Sequence, residues 1–246
     1  MIRGWTDVQR SPEANLRLGL VLSFVAGATN AGGFLAVGRY TSHMTGIVSS
    51  IADDLVLGQV GLALAGIISL AAFMLGAMCT AIMVNWGLRQ RLLSTYSLPL
   101  MLESFALLIF GLFGAAITAH SPIFLPMTVV LLCFIMGLQN AIVTKLSNAV
   151  IRTTHMTGIV TDLGIELGKL LYWNRDPDLA LRVRADRDRL KVLAGLLACF
   201  LVGGITGALG FKLVGYTFTV PIALVLAVMA LVPAIDDWQT PKRPSP

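Results

Sequence analysis

Charge is what this chain has least of. Only 13% of its 246 residues are Asp, Glu, Lys or Arg, where a soluble domain carries about 25%. So little charge cannot clothe a water-facing surface of this size, which excludes an ordinary soluble globular protein. Cysteine is scarce as well: Cys79, Cys133 and Cys199 stand alone inside apolar runs, with no Cys-x-x-Cys anywhere. That excludes a disulfide framework and a cysteine-based zinc site, and leaves three small core residues. There is no Gly-rich phosphate loop, no metal-ligand spacing and no nucleophile beside a base. No catalytic residue, metal or cofactor is therefore assigned, and an enzyme is not expected. In/out alternation is missing from the apolar runs, which speaks against a β-barrel.

What is present is apolar: 56% of residues, with mean hydropathy +0.81. Runs of roughly 20 apolar residues cross a bilayer, and six segments qualify, over 17–37, 59–84, 98–118, 123–144, 191–214 and 217–235. Two shorter and more polar segments, 43–57 and 155–172, fall short of the ~30 Å hydrocarbon core at 1.5 Å per residue. Arg3, Arg10 and Arg17 ahead of the first run resemble a signal peptide, but that run is long and more spans follow, so it is expected to be retained. The fold class expected is an all-α integral membrane protein with the lipid bilayer as its solvent.

Basic residues set the orientation. With six spans and a cytoplasmic N-terminus, 16 Lys and Arg fall inside and only Arg39 and Lys212 outside, in the sense of the positive-inside rule. Letting both short segments cross reduces the split to 12 against 6. The net charge of +5 follows from this topology, so no nucleic-acid partner is expected. The predicted localisation is the bacterial inner membrane, multi-pass, with both termini cytoplasmic. One membrane domain covers 1–246, with a solvated Arg/Asp loop over 173–190 and a disordered tail over 238–246. The oligomeric state, a homo-oligomer included, stays open.

The chain also says one thing twice. Thr41-Ser42-His43-Met44-Thr45-Gly46-Ile47-Val48 returns as Thr153-Thr154-His155-Met156-Thr157-Gly158-Ile159-Val160, seven of eight positions identical. Upstream, Phe24, Gly27, Asn30 and Ala31 recur as Phe134, Gly137, Asn140 and Ala141. Such self-similarity marks a duplicated fold, here repeat one over 16–119 and repeat two over 123–235. Three spans per copy is an odd number, so the second copy starts on the opposite side of the membrane. The expected architecture is six transmembrane helices as two inverted three-helix repeats, each with a short re-entrant or interfacial helix. Inverted repeats place their ligand site where the copies meet.

Candidate site residues follow. At 100° per residue, Ser50 and Asp54 share a face with His43, and Asp162 and Glu166 share one with His155. Read as re-entrant half-helices, these segments turn His and acid toward a central cavity. Read as interfacial helices, their polar faces are merely solvated. Repetition of one particular string favours the first reading. Asn30, Asn140 and Gln139 lie within spans, where amides need partners and so face the interior, as helix glue or as one polar site. Thr45 and Thr157 suit helix caps, and Gly46 and Gly158 let a ligand approach exposed amides. Glu103, early in the third span, either snorkels to the interface or couples protons. Asp162 and Glu166 are the other proton-coupling candidates.

The strings Ala26-Gly27-Ala28-Thr29-Asn30-Ala31, Ser42-His43-Met44-Thr45-Gly46, Gly137-Leu138-Gln139-Asn140-Ala141 and Thr157-Gly158 resemble the YoaK-like family over residues 16–235. Those are bacterial six-helix membrane proteins described as putative small-molecule transporters. That family usually has Asp where this chain has Asn30, and Asn where it has Ile47. The resemblance implies a membrane location and the transporter class, and names no substrate. The function expected is a secondary transporter or permease for a small polar solute. A passive channel of the same fold and a non-transporting scaffold or assembly protein are the alternatives. The substrate-binding set is Asn30, His43, Thr45, Gly46, Gln139, Asn140, His155, Thr157 and Gly158.

Overall fold

A computed structural model describes residues 12–92, 94–117, 121–146, 156–173 and 182–239. Among these the chain is all-helical: α1 (Pro12–Val37), α2 (Met44–Val56), α3 (Val60–Arg89), α4 (Ser97–Ile117), α5 (Ser121–Leu146), α6 (Met156–Leu171), α7 (Arg187–Val214), a 3-10 turn (Gly215–Phe218) and α8 (Thr219–Gln239). Among the described residues five stretches are long and apolar enough to cross a membrane: Glu13–Val37, Val60–Arg89, Ser97–Gly114, Phe124–Lys145 and Arg187–Ile235. The last holds 49 residues and contains both α7 and α8. Gly215, at φ 72°, breaks it in a conformation that favours glycine.

The helices are built the way lipid demands. The buried stripe of α3 is Ala63, Ser69, Ala72, Gly76, Thr80, Val84 and Gly87, mostly small residues at three- and four-residue spacing. Its outward face is Leu64, Ile67, Ile68, Leu75, Met78 and Ile82. Hydrocarbon gives large side chains no reason to hide, so helices associate by close backbone approach through small residues.

Four Phe-x-x-Gly elements make the two tightest seams. A Cβ at Gly27 of α1 would strike the Phe200 carbonyl of α7, and one at Gly203 would strike the Phe24 carbonyl. The second seam repeats this, Gly137 of α5 against the Phe73 carbonyl of α3 and Gly76 against that of Phe134. Hydrogen bonds lie along both, from Ser23 Oγ to the Leu196 carbonyl at 2.8 Å and from Thr80 Oγ1 to the Leu138 carbonyl at 3.1 Å. Contacts ascend together along each seam, so α1 is parallel to α7 and α3 to α5.

The remaining long helices run against their neighbours. Ser104 Oγ donates to the Ala223 carbonyl at 2.8 Å while a Cβ at Gly111 would meet Thr219, so α4 and α8 are antiparallel. Tyr96 OH donates to the Lys145 carbonyl at 3.2 Å, and the rings of Phe113 and Phe124 are 5.7 Å apart, so α4 and α5 are antiparallel too. Of the short helices, α2 packs on α3 and α6 on α7. The start expected for the fifth span at 191 moves back to Arg187, because Asp186 caps α7, accepting from the Asp188 and Arg189 amides at 3.1 and 3.0 Å. Most of the tail expected over 238–246 lies outside the described residues.

Candidate functional site

Residues of both sequence copies close around one cavity of about 570 Å³, lined by Asn30, Tyr40, Ser42, His43, Met44, Thr45, Phe73, Asn140, Met156, Thr157 and Phe200. Eight of these are equivalent pairs: Asn30 with Asn140, Met44 with Met156, Thr45 with Thr157, and Phe73 with Phe200. The long helices present the Asn side chains and the Phe rings. The N-terminal ends of α2 and α6 bring the Met and Thr residues.

Local chemistry fixes the first half. Ser42 Oγ donates to Asn30 Oδ1 at 2.8 Å, tying the loop before α2 to α1. The His43 ring occupies the space a Cβ at Gly46 would need, so Gly46 seats the imidazole rather than opening amides to a ligand. Tyr40 stacks on Phe34 with centroids 4.6 Å apart. His43 and Tyr40 also line a second cavity of about 360 Å³, with Arg39, Thr41, Gly46, Ser50, Asp54, Ser69 and Cys133 among its walls. The stripe of His43, Ser50 and Asp54 is therefore assembled, but along this second cavity.

The second half is arranged differently. His155 lies outside the described residues. Among the described residues a Cβ at Gly158 would meet nothing within 4 Å, and Gly158 does not line the cavity. Asp162 and Glu166 share a face as their spacing predicts, but that face meets the start of α7. Arg189 Nη2 contacts Asp162 Oδ2 at 2.9 Å; Lys169 Nζ contacts Glu166 Oε1 at 2.8 Å; the Asp186 amide donates to Glu166 Oε2 at 2.9 Å. The Lys169 hydrogen bond and the Asp186 amide hold the Glu166 carboxyl below the usual carboxylate range, because both favour the charged form. These two acids pin α6 to α7.

Gln139 and Glu103 are each fully buried and line neither cavity. The interfacial, snorkelling reading of Glu103 is thereby corrected: its stripe on α4, with Leu100, Leu107 and Phe110, faces inward and none of these side chains is exposed. The residues that sequence reasoning missed are Phe73 and Phe200. Their signal was the Phe-x-x-Gly they share with Phe24 and Phe134, at an offset of 127 where the other equivalences stand at 110 and 112.

No curated protein and no solved structure matches this chain. A family model described as "Protein of unknown function (DUF1275)" matches residues 18–232. That match takes in α2 to α7 whole and most of α1 and α8, and the chain belongs to the DUF1275 family.

Proposed function

We propose that the chain is a secondary transporter or permease for a small, neutral polar solute in the bacterial inner membrane, a YoaK-like member of its family with both termini cytoplasmic. The observation that carries this reading is the cavity. Its walls are matched pairs from the two sequence copies, as expected where inverted repeats meet. Its volume falls in the range of small-molecule sites, roughly 300–1,000 Å³. Among the described residues, amides, hydroxyls and an imidazole line it, with two Phe rings and no Asp, Glu, Lys or Arg. A solute with net charge would lose its hydration there uncompensated. A neutral one with several hydrogen-bonding groups would not. No reaction chemistry is proposed.

Six crossings in two inverted repeats agree with the helix senses: α1 parallel to α7, α3 to α5, α4 against both α5 and α8, and α7 turning back at Gly215. In this reading α2 and α6 are re-entrant half-helices whose N-termini turn partial positive charge toward the cavity. The rocking bodies are drawn by the tightest seams and not by the sequence copies. One is α1, α7 and α6; the other is α5, α3 and α2. Asn30, Met156, Thr157 and Phe200 belong to the first, and Asn140, Met44, Thr45 and Phe73 to the second, so the cavity lies between them.

The test is uptake into proteoliposomes from a panel of neutral polar solutes. Saturation and counterflow are expected, and their absence would make the protein a passive channel. Asn140→Ala and Thr157→Val each remove a hydrogen-bonding group worth about 1 kcal/mol or slightly more, so uptake should fall roughly five- to tenfold. Uptake at the parental rate in both variants removes the cavity from the mechanism.

A further inference from the structure

Buried hydroxyls in this bundle have partners as a rule: Ser23, Thr80, Ser104 and Thr128 each donate to a backbone carbonyl. Exceptions stand on three helices, the Ser97 hydroxyl at the start of α4 among them. Both carboxylate oxygens of Glu103, both amide atoms of Gln139 and the Thr29 hydroxyl are buried without a hydrogen-bond partner. These side chains are at most 1% exposed.

Register brings Thr29 and Gln139 within about a turn of each other. Gly33 of α1 meets Leu132 of α5, and with these helices antiparallel the stripe Gly33, Thr29, Ala26, Leu22 runs against Leu132, Met136, Gln139, Val143. Every member of both stripes is buried. Thr29 and Gln139 are equivalent positions of the two copies, each one residue before the Asn that lines the cavity. Counting from the Tyr96–Lys145 contact, antiparallel α4 and α5 bring Glu103 within a turn of Gln139. Nothing charged faces Glu103 from its neighbours. On α5 the titratable residues are Cys133, which lines the second cavity, and Lys145, whose ammonium donates to Asn85. The 3-10 turn offers Tyr216, two turns or more along α4 against Gly111 and Gly114. On α3, Cys79 and Arg89 lie on a helix with few contacts to α4, and the described side chains of α8 include no titratable group.

We propose that Glu103, about a turn from the unpaired Gln139 amide across the α4–α5 contact, is a proton-binding site that couples the transporter to the proton gradient. The step is the binding of one proton by the carboxylate to give the neutral acid, and its release when the bodies rock. This rests on the transporter reading above and names its coupling ion. A carboxyl with no donor glues nothing together, and ionisable groups inside membranes mark ion and proton paths. Asp162 and Glu166 are excluded as carriers, since ion pairs with Arg189 and Lys169 hold both.

The experiment uses the full chain in liposomes with protons as the probe. Infrared difference spectra across a pH step are expected to show a carboxylic-acid carbonyl band that disappears in Glu103→Gln and shifts in Glu103→Asp. In parallel, Thr157→Cys, with the three native cysteines replaced, is alkylated by an impermeant maleimide added from either side. Its rate, divided at each pH by that of a free thiol so that the thiolate fraction cancels, should change several-fold between acid and alkaline pH, and this ratio should become flat with pH in Glu103→Gln. Glu103→Leu should melt no lower than the parent, which a structural role would not allow. A pH-dependent ratio retained in Glu103→Gln, or no titrating band lost with Glu103, overturns the proposal while labelling from both sides leaves the transporter standing. A titrating band with labelling from one side only at every pH supports the proton site and sinks the transporter.

Discussion

Replacing Gly137 by Ala adds one carbon where the structure has no room. The new Cβ would lie 2.8 Å from the Phe73 carbonyl carbon and closer still to its oxygen. Ordinary contact begins near 3.4 Å, so the carbonyl carbon must recede by about 0.6 Å. Backbone cannot rotate away as a side-chain tip can, so α3 and α5 must separate along the seam. Overpacking costs typically 1–3 kcal/mol, and a backbone obstacle places this substitution at about 3 kcal/mol. Gly27→Ala should cost the same on the other seam. The two lie on separate helix pairs and should add. Gly137→Ala with Gly76→Ala shares one seam, so separation caused by the first makes room for the second and the pair should cost clearly less than the sum. Gly158→Ala, whose Cβ meets nothing among the described residues, is the control and should be near neutral. Unfolding of the detergent-solubilised protein, followed by helicity or by burial of the native cysteines, reads all of these and the single Gly76→Ala. Equal costs at Gly137 and Gly158, or strict additivity within one seam, would refute the packing argument.

Glu166 gives a pH signature: its carboxyl sits below its ordinary value near 4.5, so its stabilisation is full above that value and fades as pH falls through the lower folded one. Glu166→Gln should flatten the acid limb of melting temperature against pH, and an unchanged limb would contradict the pairing. Ser42→Ala and Asn30→Ala remove the two ends of one bond at 2.8 Å, worth about 1 kcal/mol; the double variant should cost less than the sum, as a melting series would show. A disulfide joining Gly33→Cys to Leu132→Cys ties the two rocking bodies together and should abolish uptake reversibly on reduction, whereas uptake unaffected by that bond would mean the bodies are drawn wrongly.

Much of this was legible because hydrocarbon imposes strict lengths. The long segments and the two short ones read from hydropathy match the helices to within about five residues at every end. Asp186 extends α7 backward by binding two amides, a local chemistry that hydropathy does not register. Repetition gave Asn30, Thr45, Asn140 and Thr157, and all four line the cavity. What sequence periodicity could not supply was the partner of each face. The stripe of Asp162 and Glu166 is real, but Arg189 meets it from a different helix, and spacing along α6 carries no information about that. Phe73 and Phe200 stayed hidden because the second copy is longer by about fifteen residues between its His motif and its Phe, in α6 and the connection after it, which throws their equivalence out of step with the His motif.

The seams also explain why neither copy can stand alone. Were each repeat a self-contained bundle, its Phe-x-x-Gly elements would pair within the copy. Instead α1 of the first is matched with α7 of the second, and α5 of the second with α3 of the first. Each close pair therefore contains one helix from each copy, and neither copy can close its small-residue stripe without the other. The ion pairs are different in kind. Those of Asp162, Glu166, Lys169 and Arg189 all lie within the second copy and within one proposed moving body, so they hold a half-helix to its scaffold and need not break when the bodies rock. The equivalent of Glu166 in the first copy, Asp54, faces the second cavity together with Arg39 and pins nothing to α3. The two halves, alike in backbone, are therefore unlike in this latch, and in the proposed motion it travels whole with its own body.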